Sequence, residues 1–187
     1  MVRDAEATRA RLLAAARKEF AAYGIAGARV ERIAAEADSN KAQIYHYFNS
    51  KDGLFDAVFT SIVEQVVTGI PLDVGDLPGY AEKLARGYED YPDIIRLNTW
   101  HRLERGAAVL VQAAVDSNRA KIGKIAKAQA DGLLPDRYPA GALLALILQI
   151  VALWADLPHE LAAAAGVPDA DTRAALVRQA VEALLAE

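Results

Sequence analysis

Apolar residues recur at helical spacing along nearly the whole chain. Leu13, Ala16, Phe20 and Tyr23 share one helical face and predict a first helix over about residues 7–23, closed by Gly24 as a C-terminal cap. A short loop, Ile25-Ala26-Gly27-Ala28, separates it from a second helix over about 30–37, with Val30, Ile33, Ala34 and Ala37 inward. Asp38-Ser39-Asn40 is a tight polar turn, and a third helix over about 41–47 turns Ile44 and Phe48 inward. Phe55, Val58, Ile62 and Val66 predict a long fourth helix. Ser50 caps it, and Asp52 stands near the positive end of its dipole. Gly69, Pro71, Gly75 and Pro78 mark a linker over 68–78. Helical patterns resume over 80–91, stop at Pro92, and continue over 93–104, 106–130, 139–157 and, after Gly166-Val167-Pro168, 169–185. The expectation is an all-α fold of about nine helices, without period-two strands.

Composition narrows the class. The 187 residues are 53% hydrophobic and 25% charged, enough to bury a core and too apolar for disorder. With no cysteine, disulfides and thiolate metal sites are excluded. The most apolar run, Ala140 to Ala155, is shorter than the about 20 residues a bilayer needs. It reads as a helix buried in protein, and with no secretory core after Met1 a cytoplasmic location away from membranes is expected. The net charge of −4 looks wrong for a nucleic-acid partner, but its distribution matters more. Residues 1–55 hold 9 Lys/Arg against 7 Asp/Glu, a balance of +2, and the remainder holds 12 against 18, a balance of −6. DNA binding needs a basic footprint, not a basic whole.

Two short helices joined by a three-residue turn and braced by a longer one have helix-turn-helix geometry. Ala34 is small where the helices cross, Ile33 and Ile44 pack the crossing, and Asn40 caps the third helix. Lys41, Gln43, Tyr45 and His46 are then free to meet DNA. Gln43 offers a paired donor and acceptor to adenine, while Tyr45, Tyr47 and Lys51 suit phosphate contacts. Taken singly, Tyr45 and Tyr47 also fit as core aromatics and Lys41 and Lys51 as solvated charges; Phe48 fits best as core.

The run Ile33-Ala34-Ala35-Glu36-Ala37, followed by Ile44-Tyr45-His46-Tyr47-Phe48-Asn49-Ser50-Lys51-Asp52-Gly53-Leu54, resembles the TetR/AcrR family of regulators. The resemblance covers about the first third of the chain. It implies a homodimer on a near-palindromic double-stranded DNA operator, with a C-terminal domain that binds a small-molecule effector. It further implies that Gln43 and its neighbours read bases while Tyr45 and Lys51 hold phosphates. Three positions depart from the family pattern. Asp38 stands where Gly is usual, a place Asp tolerates better than most residues. Ser39 forfeits an apolar turn contact. Arg29 stands where a Thr usually caps the second helix, which removes about 1 kcal/mol of capping and adds a charge within reach of phosphate. The domains expected are 1–50 for DNA binding and 51–187 for ligand binding and dimerisation.

In the C-terminal part, Leu143, Ile147, Val151 and Trp154 form one apolar face, and Val177, Val181 and Leu184 another. Together they suit a four-helix dimer interface, although completing the chain's own core would use the same residues. A helix apolar nearly all round needs cover on most sides, which a partner would supply. Tyr88, Leu97, Trp100, His101, Glu104 and Gln112 are candidate effector-pocket residues; the alternative is Trp100 in the core and His101–Glu104 as an intrahelical pair. His101 and Glu104 supply only half of a carboxylate–histidine site, and His159-Glu160 falls in a loop-like stretch, so no metal is expected. Arg119, Lys121, Lys124 and Lys127 read as a solvated face. No cofactor motif and no nucleophile–base pair occurs. The function expected is a ligand-responsive transcriptional regulator, a repressor rather than an enzyme. The competing reading is a helical ligand-binding protein or enzyme that keeps the fold without specific DNA binding.

Overall fold

The structure, a computed structural model, describes residues 2–106 and 109–186. The described residues form ten helices and no strand: α1 (Val2–Gly27), α2 (Val30–Glu36), α3 (Lys41–Phe48), α4 (Lys51–Gly69), α5 (Leu77–Asp90), α6 (Asp93–Arg105), α7 (Gln112–Ala130), α8 (Ala140–Ala152), α9 (His159–Ala165) and α10 (Ala170–Leu185). Polar residues set several starts. Asn40 Oδ1 accepts from the Gln43 amide at 3.1 Å, Ser50 Oγ from Gly53 at 2.9 Å, Asp76 Oδ1 from Gly79 at 2.8 Å and Asp169 Oδ1 from Thr172 at 2.8 Å. Each satisfies one of the amides a helix leaves open at its N-terminus. Gly24 does break α1, with φ 72 and ψ −178, but one further helical turn follows it.

Besides α1, which runs through the Ile25–Gly27 stretch expected as loop, three elements differ from the sequence expectation. The helix expected over 106–130 begins at Gln112. Gly106 has a φ of 61, and Ala107 and Ala108, inside the expected span, lie outside the described residues. α8 ends at Ala152, short of Leu157. His159-Glu160 is not loop but the first turn of α9, which buries no residue; a short helix without a buried face has no apolar period to betray it.

The chain divides into two compact units. One holds residues 1–65 and 96–114, the other 66–95 and 115–187. In the first, Leu12, Ala16 and Phe20 of α1 are buried, as are Ile33 of α2, Ile44 and Phe48 of α3, and Leu54, Phe55 and Val58 of α4. The Phe20 and Phe55 rings meet edge to face with centroids 5.2 Å apart, a favoured aromatic geometry.

In the second, α5, α7, α8 and α10 enclose a core containing Leu77, Tyr80, Leu84, Ile125, Leu144 and Ile147. Arg173 of α10 ties to Glu89 of α5 through two bonds of 2.8 and 2.5 Å. This core claims the residues expected at a dimer interface. Leu143, Ile147, Val151, Val177 and Val181 are at most 2% exposed in the single chain, and Trp154 and Leu184 pack against the same cluster. The cover that the α8 sequence demands therefore comes largely from within the unit, on the side that carries these residues. Lys121 also departs from expectation: it is half-buried, and burial pulls its ammonium below the ordinary lysine pKa.

Candidate nucleic-acid interface

The α2–α3 corner forms because short-range bonds close it. Asp38 takes the left-handed conformation, φ 48, that the usual glycine would adopt. The Asp38 and Ser39 amides donate to the Ala35 and Ala34 carbonyls at 3.2 and 2.9 Å, ending α2. Arg11 of α1 adds a bond from Nε to the Ala37 carbonyl at 3.1 Å. Inside the corner Ile33, Ala34, Ala37 and Ile44 are buried.

Burying that face leaves the opposite face of α3 outward. Lys41, Tyr45 and His46 are exposed, and Gln43 and Tyr47 partly so. Tyr45 is 49% exposed, so its ring and hydroxyl are open to an outside contact. Lys41 pairs with Glu31 at 2.5 Å across an exposed surface, a contact that solvent screens and a phosphate can replace. The His46 ring meets Tyr47 edge-on at 5.2 Å. Phe48 is core, 5% exposed. Lys51 is turned toward the protein: its ammonium donates to the Ala26 and Ala28 carbonyls, both at 3.2 Å. An ammonium has three N–H bonds, so one remains for an outside acceptor.

Arg29 sits at the N-cap of α2 without a side-chain cap of its own. Glu19 of α1, only 9% exposed, fills the role. Its Oε1 accepts from the Arg29 amide at 2.9 Å and from Arg32 Nε at 2.8 Å. Burial pushes the Glu19 carboxyl up, but the bonds from Arg32 and the Arg29 amide outweigh it and leave it below the ordinary carboxylate value. The Arg29 side chain stays free of that duty and exposed. Glu19 escaped the sequence reading although the signal was present: a carboxylate beside Phe20, on the face that carries Ala15 and Ala16, needs a buried partner.

The residues expected in an effector pocket do not gather in one place. Leu97 is fully buried. Trp100 donates from Nε1 to the Ala21 carbonyl at 3.3 Å, and Glu104 accepts from the Ile25 and Ala26 amides at 2.6 and 2.8 Å. His101 stacks on Phe55 at 6.0 Å and lies 5.4 Å from Phe59, so the intrahelical pair with Glu104 does not form. Burial, reinforced by Arg105 and opposed by Asp56, holds His101 below the ordinary imidazole pKa. Gln112 is exposed at the start of α7. Tyr88 belongs to the other unit, where it lines a narrow cleft with Trp154, Val151, Ala174 and the Glu89–Arg173 pair. Trp154 Nε1 is buried and has no hydrogen-bond partner among the described residues. Among the described residues no three His, Asp or Glu side chains gather as metal ligands, and no helix is long and apolar enough to cross a membrane.

A capped, exposed third helix locked against a second by small and branched residues defines a helix-turn-helix DNA-binding protein. Residues 12–58 match the family described as bacterial regulatory proteins, tetR family, and residues 76–183 match the tetracyclin repressor-like C-terminal domain. The chain belongs to the TetR family of helix-turn-helix transcriptional regulators and is not an enzyme. It is 38% identical over 155 residues to the HTH-type transcriptional repressor SCO4008 of Streptomyces coelicolor, covering 82% of this chain and 80% of that one. To the HTH-type transcriptional repressor NicS of Pseudomonas putida it is 33% identical over 110 residues, 55% of this chain and 52% of the relative. Among solved structures, the transcriptional regulator SCO4942 of Streptomyces coelicolor superposes with a TM-score of 0.83 at 41% identity, covering 95% of this chain and 97% of its own.

Proposed function

We propose that the protein is a ligand-responsive repressor that binds a near-palindromic operator as a homodimer and leaves it when a small-molecule effector binds. The observation that carries the DNA-binding part is the outward face of α3, where Gln43 and Tyr45 stand clear of the core on a helix capped by Asn40. Both curated relatives described above are named repressors, which supports the direction of regulation. α3 enters the major groove, with Gln43 pairing to an adenine edge and His46 beside it. Tyr45, Tyr47, Lys41, Arg29 and the third N–H of Lys51 take phosphates, which fix register without reading sequence. Asn40 holds the start of the reading helix.

Dimerisation uses the outer side of α8 and α10. Leu146 and Leu176 are each 39% exposed there, with alanines at Ala142, Ala145, Ala180 and Ala183 and almost no charge between them. Such faces pack two copies into a four-helix interface and set the reading helices about 34–36 Å apart, one turn of DNA. The effector enters the second unit beside Tyr88 and Trp154, and a hydrogen-bond acceptor on it takes the unpaired Trp154 N–H. It must bind the DNA-free arrangement more tightly, since a ligand indifferent to the two states shifts nothing.

The test is selection of genomic fragments by the purified protein at near-physiological salt, followed by anisotropy titrations. A near-palindrome should be enriched; Tyr45→Ala should weaken it, and Gln43→Ala should relax one position in each half-site. Binding that prefers no sequence and ignores both changes would refute the reading.

A further inference from the structure

Adjacent residues at the end of α6 grip two other helices of the same unit. Glu104 closes on the Ile25 and Ala26 amides, the first N–H groups of the helical turn that follows the α1 break. Both bonds are charge-assisted, and they fall just past Gly24, where the backbone leaves helical geometry. The approach is tight. A Cβ on Gly24 would stand 2.5 Å from Glu104 Oε1 and 2.8 Å from the Trp100 ring. Arg105, whose side chain is only 6% exposed, grips α4: its guanidinium bonds Asp56 and, at 2.8 Å, Asp52. Between these two grips lies Lys51, bonded to the Ala26 and Ala28 carbonyls. The segment 25–28 is thus held on its N–H groups by Glu104 and on its carbonyls by Lys51, and α2 begins two residues later.

We propose that Glu104 is a positioning residue for DNA binding: its carboxylate fixes segment 25–28 and so sets how α2 and α3 stand on α4. The inference rests on the DNA-binding reading above. The core of the head, built from Phe20, Ile33, Ile44 and Phe55, does not include Glu104. Its loss therefore loosens the pivot and leaves the packed helices in place. A loosened pivot lets each reading helix wander relative to its twin. It weakens a rigidly spaced operator and spares contacts that need no spacing.

The experiment compares wild type, Glu104→Ala and Glu104→Gln as full chains on three DNAs. These are the operator selected by the wild type, the same operator with one base pair inserted between half-sites, and unrelated duplex. Thermal melts establish that each variant is folded at the assay temperature. Glu104→Ala should bind the operator about tenfold more weakly, the scale of losing bonds to a charged group. It should also lose much of the wild-type preference for the native spacing and bind unrelated duplex unchanged. Glu104→Gln keeps an acceptor of about half the strength and should fall between. Wild-type affinity and spacing preference in Glu104→Ala would overturn the proposal, as would an equal loss on all three DNAs that tracks the unfolded fraction. Should Glu104→Ala fail to fold, Glu104→Gln decides, and no change in its affinity or spacing preference overturns the proposal. If the wild type enriches no sequence at all, the DNA-binding reading fails first and takes this inference with it.

Discussion

Replacing Gly24 with alanine isolates the cost of the α1 break. Its backbone, φ 72 and ψ −178, lies in a region open essentially to glycine alone, and holding another residue there costs about 1–3 kcal/mol. Space is a second obstacle, since the new Cβ would meet Glu104 Oε1 at 2.5 Å and Trp100 ring atoms at 2.8 and 2.9 Å. None of these is an ordinary contact, so Glu104 or Trp100 must withdraw. A withdrawn Glu104 gives up its bonds to Ile25 and Ala26, about 1.5–3 kcal/mol for a charged acceptor. The two costs together reach about 2.5–6 kcal/mol, a large share of a typical stability of about 5–15 kcal/mol. At about 2–4 °C per kcal/mol for a chain of this size, the melting point should fall by about 10 °C. The chain has two tryptophans, one in each unit, so a Trp154→Phe background leaves Trp100 as the reporter of the break. Gly123→Ala, at a helical site with nothing within 4 Å, is the control and should gain about 0.5–1 kcal/mol. A Gly24→Ala melt within about 3 °C of its parent, roughly 1 kcal/mol, would refute the reasoning.

Leu146→Glu should give a folded monomer by light scattering, because Leu146 faces outward from α8. The neighbouring Ile147→Glu buries a charge in the core and should unfold the second unit; a dimeric Leu146→Glu would count against the proposed interface. Asp38→Gly removes a positive-φ side chain and a carboxylate beside α3. It should tighten operator binding about threefold with little change in melting, and weaker binding in a titration would contradict it. His101 has a depressed pKa in the fold, so it favours folding above the unfolded value of 6.5, and that contribution is lost as pH falls through the folded value. Urea titrations should show the wild type losing stability below pH 6.5 more steeply than His101→Phe, whose ring keeps the stacking on Phe55; parallel pH profiles would rule this out.

Much of the DNA-binding head was legible in the sequence by itself. The period of Ile33, Ala34, Ile44 and Phe48 and the caps Asn40 and Ser50 act across three or four residues, where helix geometry fixes which side chains meet. Even the departure at Asp38 was readable, because left-handed tolerance is a property of the residue. Tertiary structure decided what distance along the chain conceals. Glu104 meets Ile25 across 79 residues, and nothing in the local pattern of α6 distinguishes it from a solvated charge. Lys51 likewise finds carbonyls 25 and 23 residues away, and Glu19 replaces a cap absent ten residues on. The α8 sequence calls for cover nearly all round without saying what supplies it: its Leu143, Ile147 and Val151 side faces the chain's own core, while Leu146 looks outward. A local period reports that a face is buried; which neighbour buries it depends on how distant helices pack, and that depends on the whole chain at once.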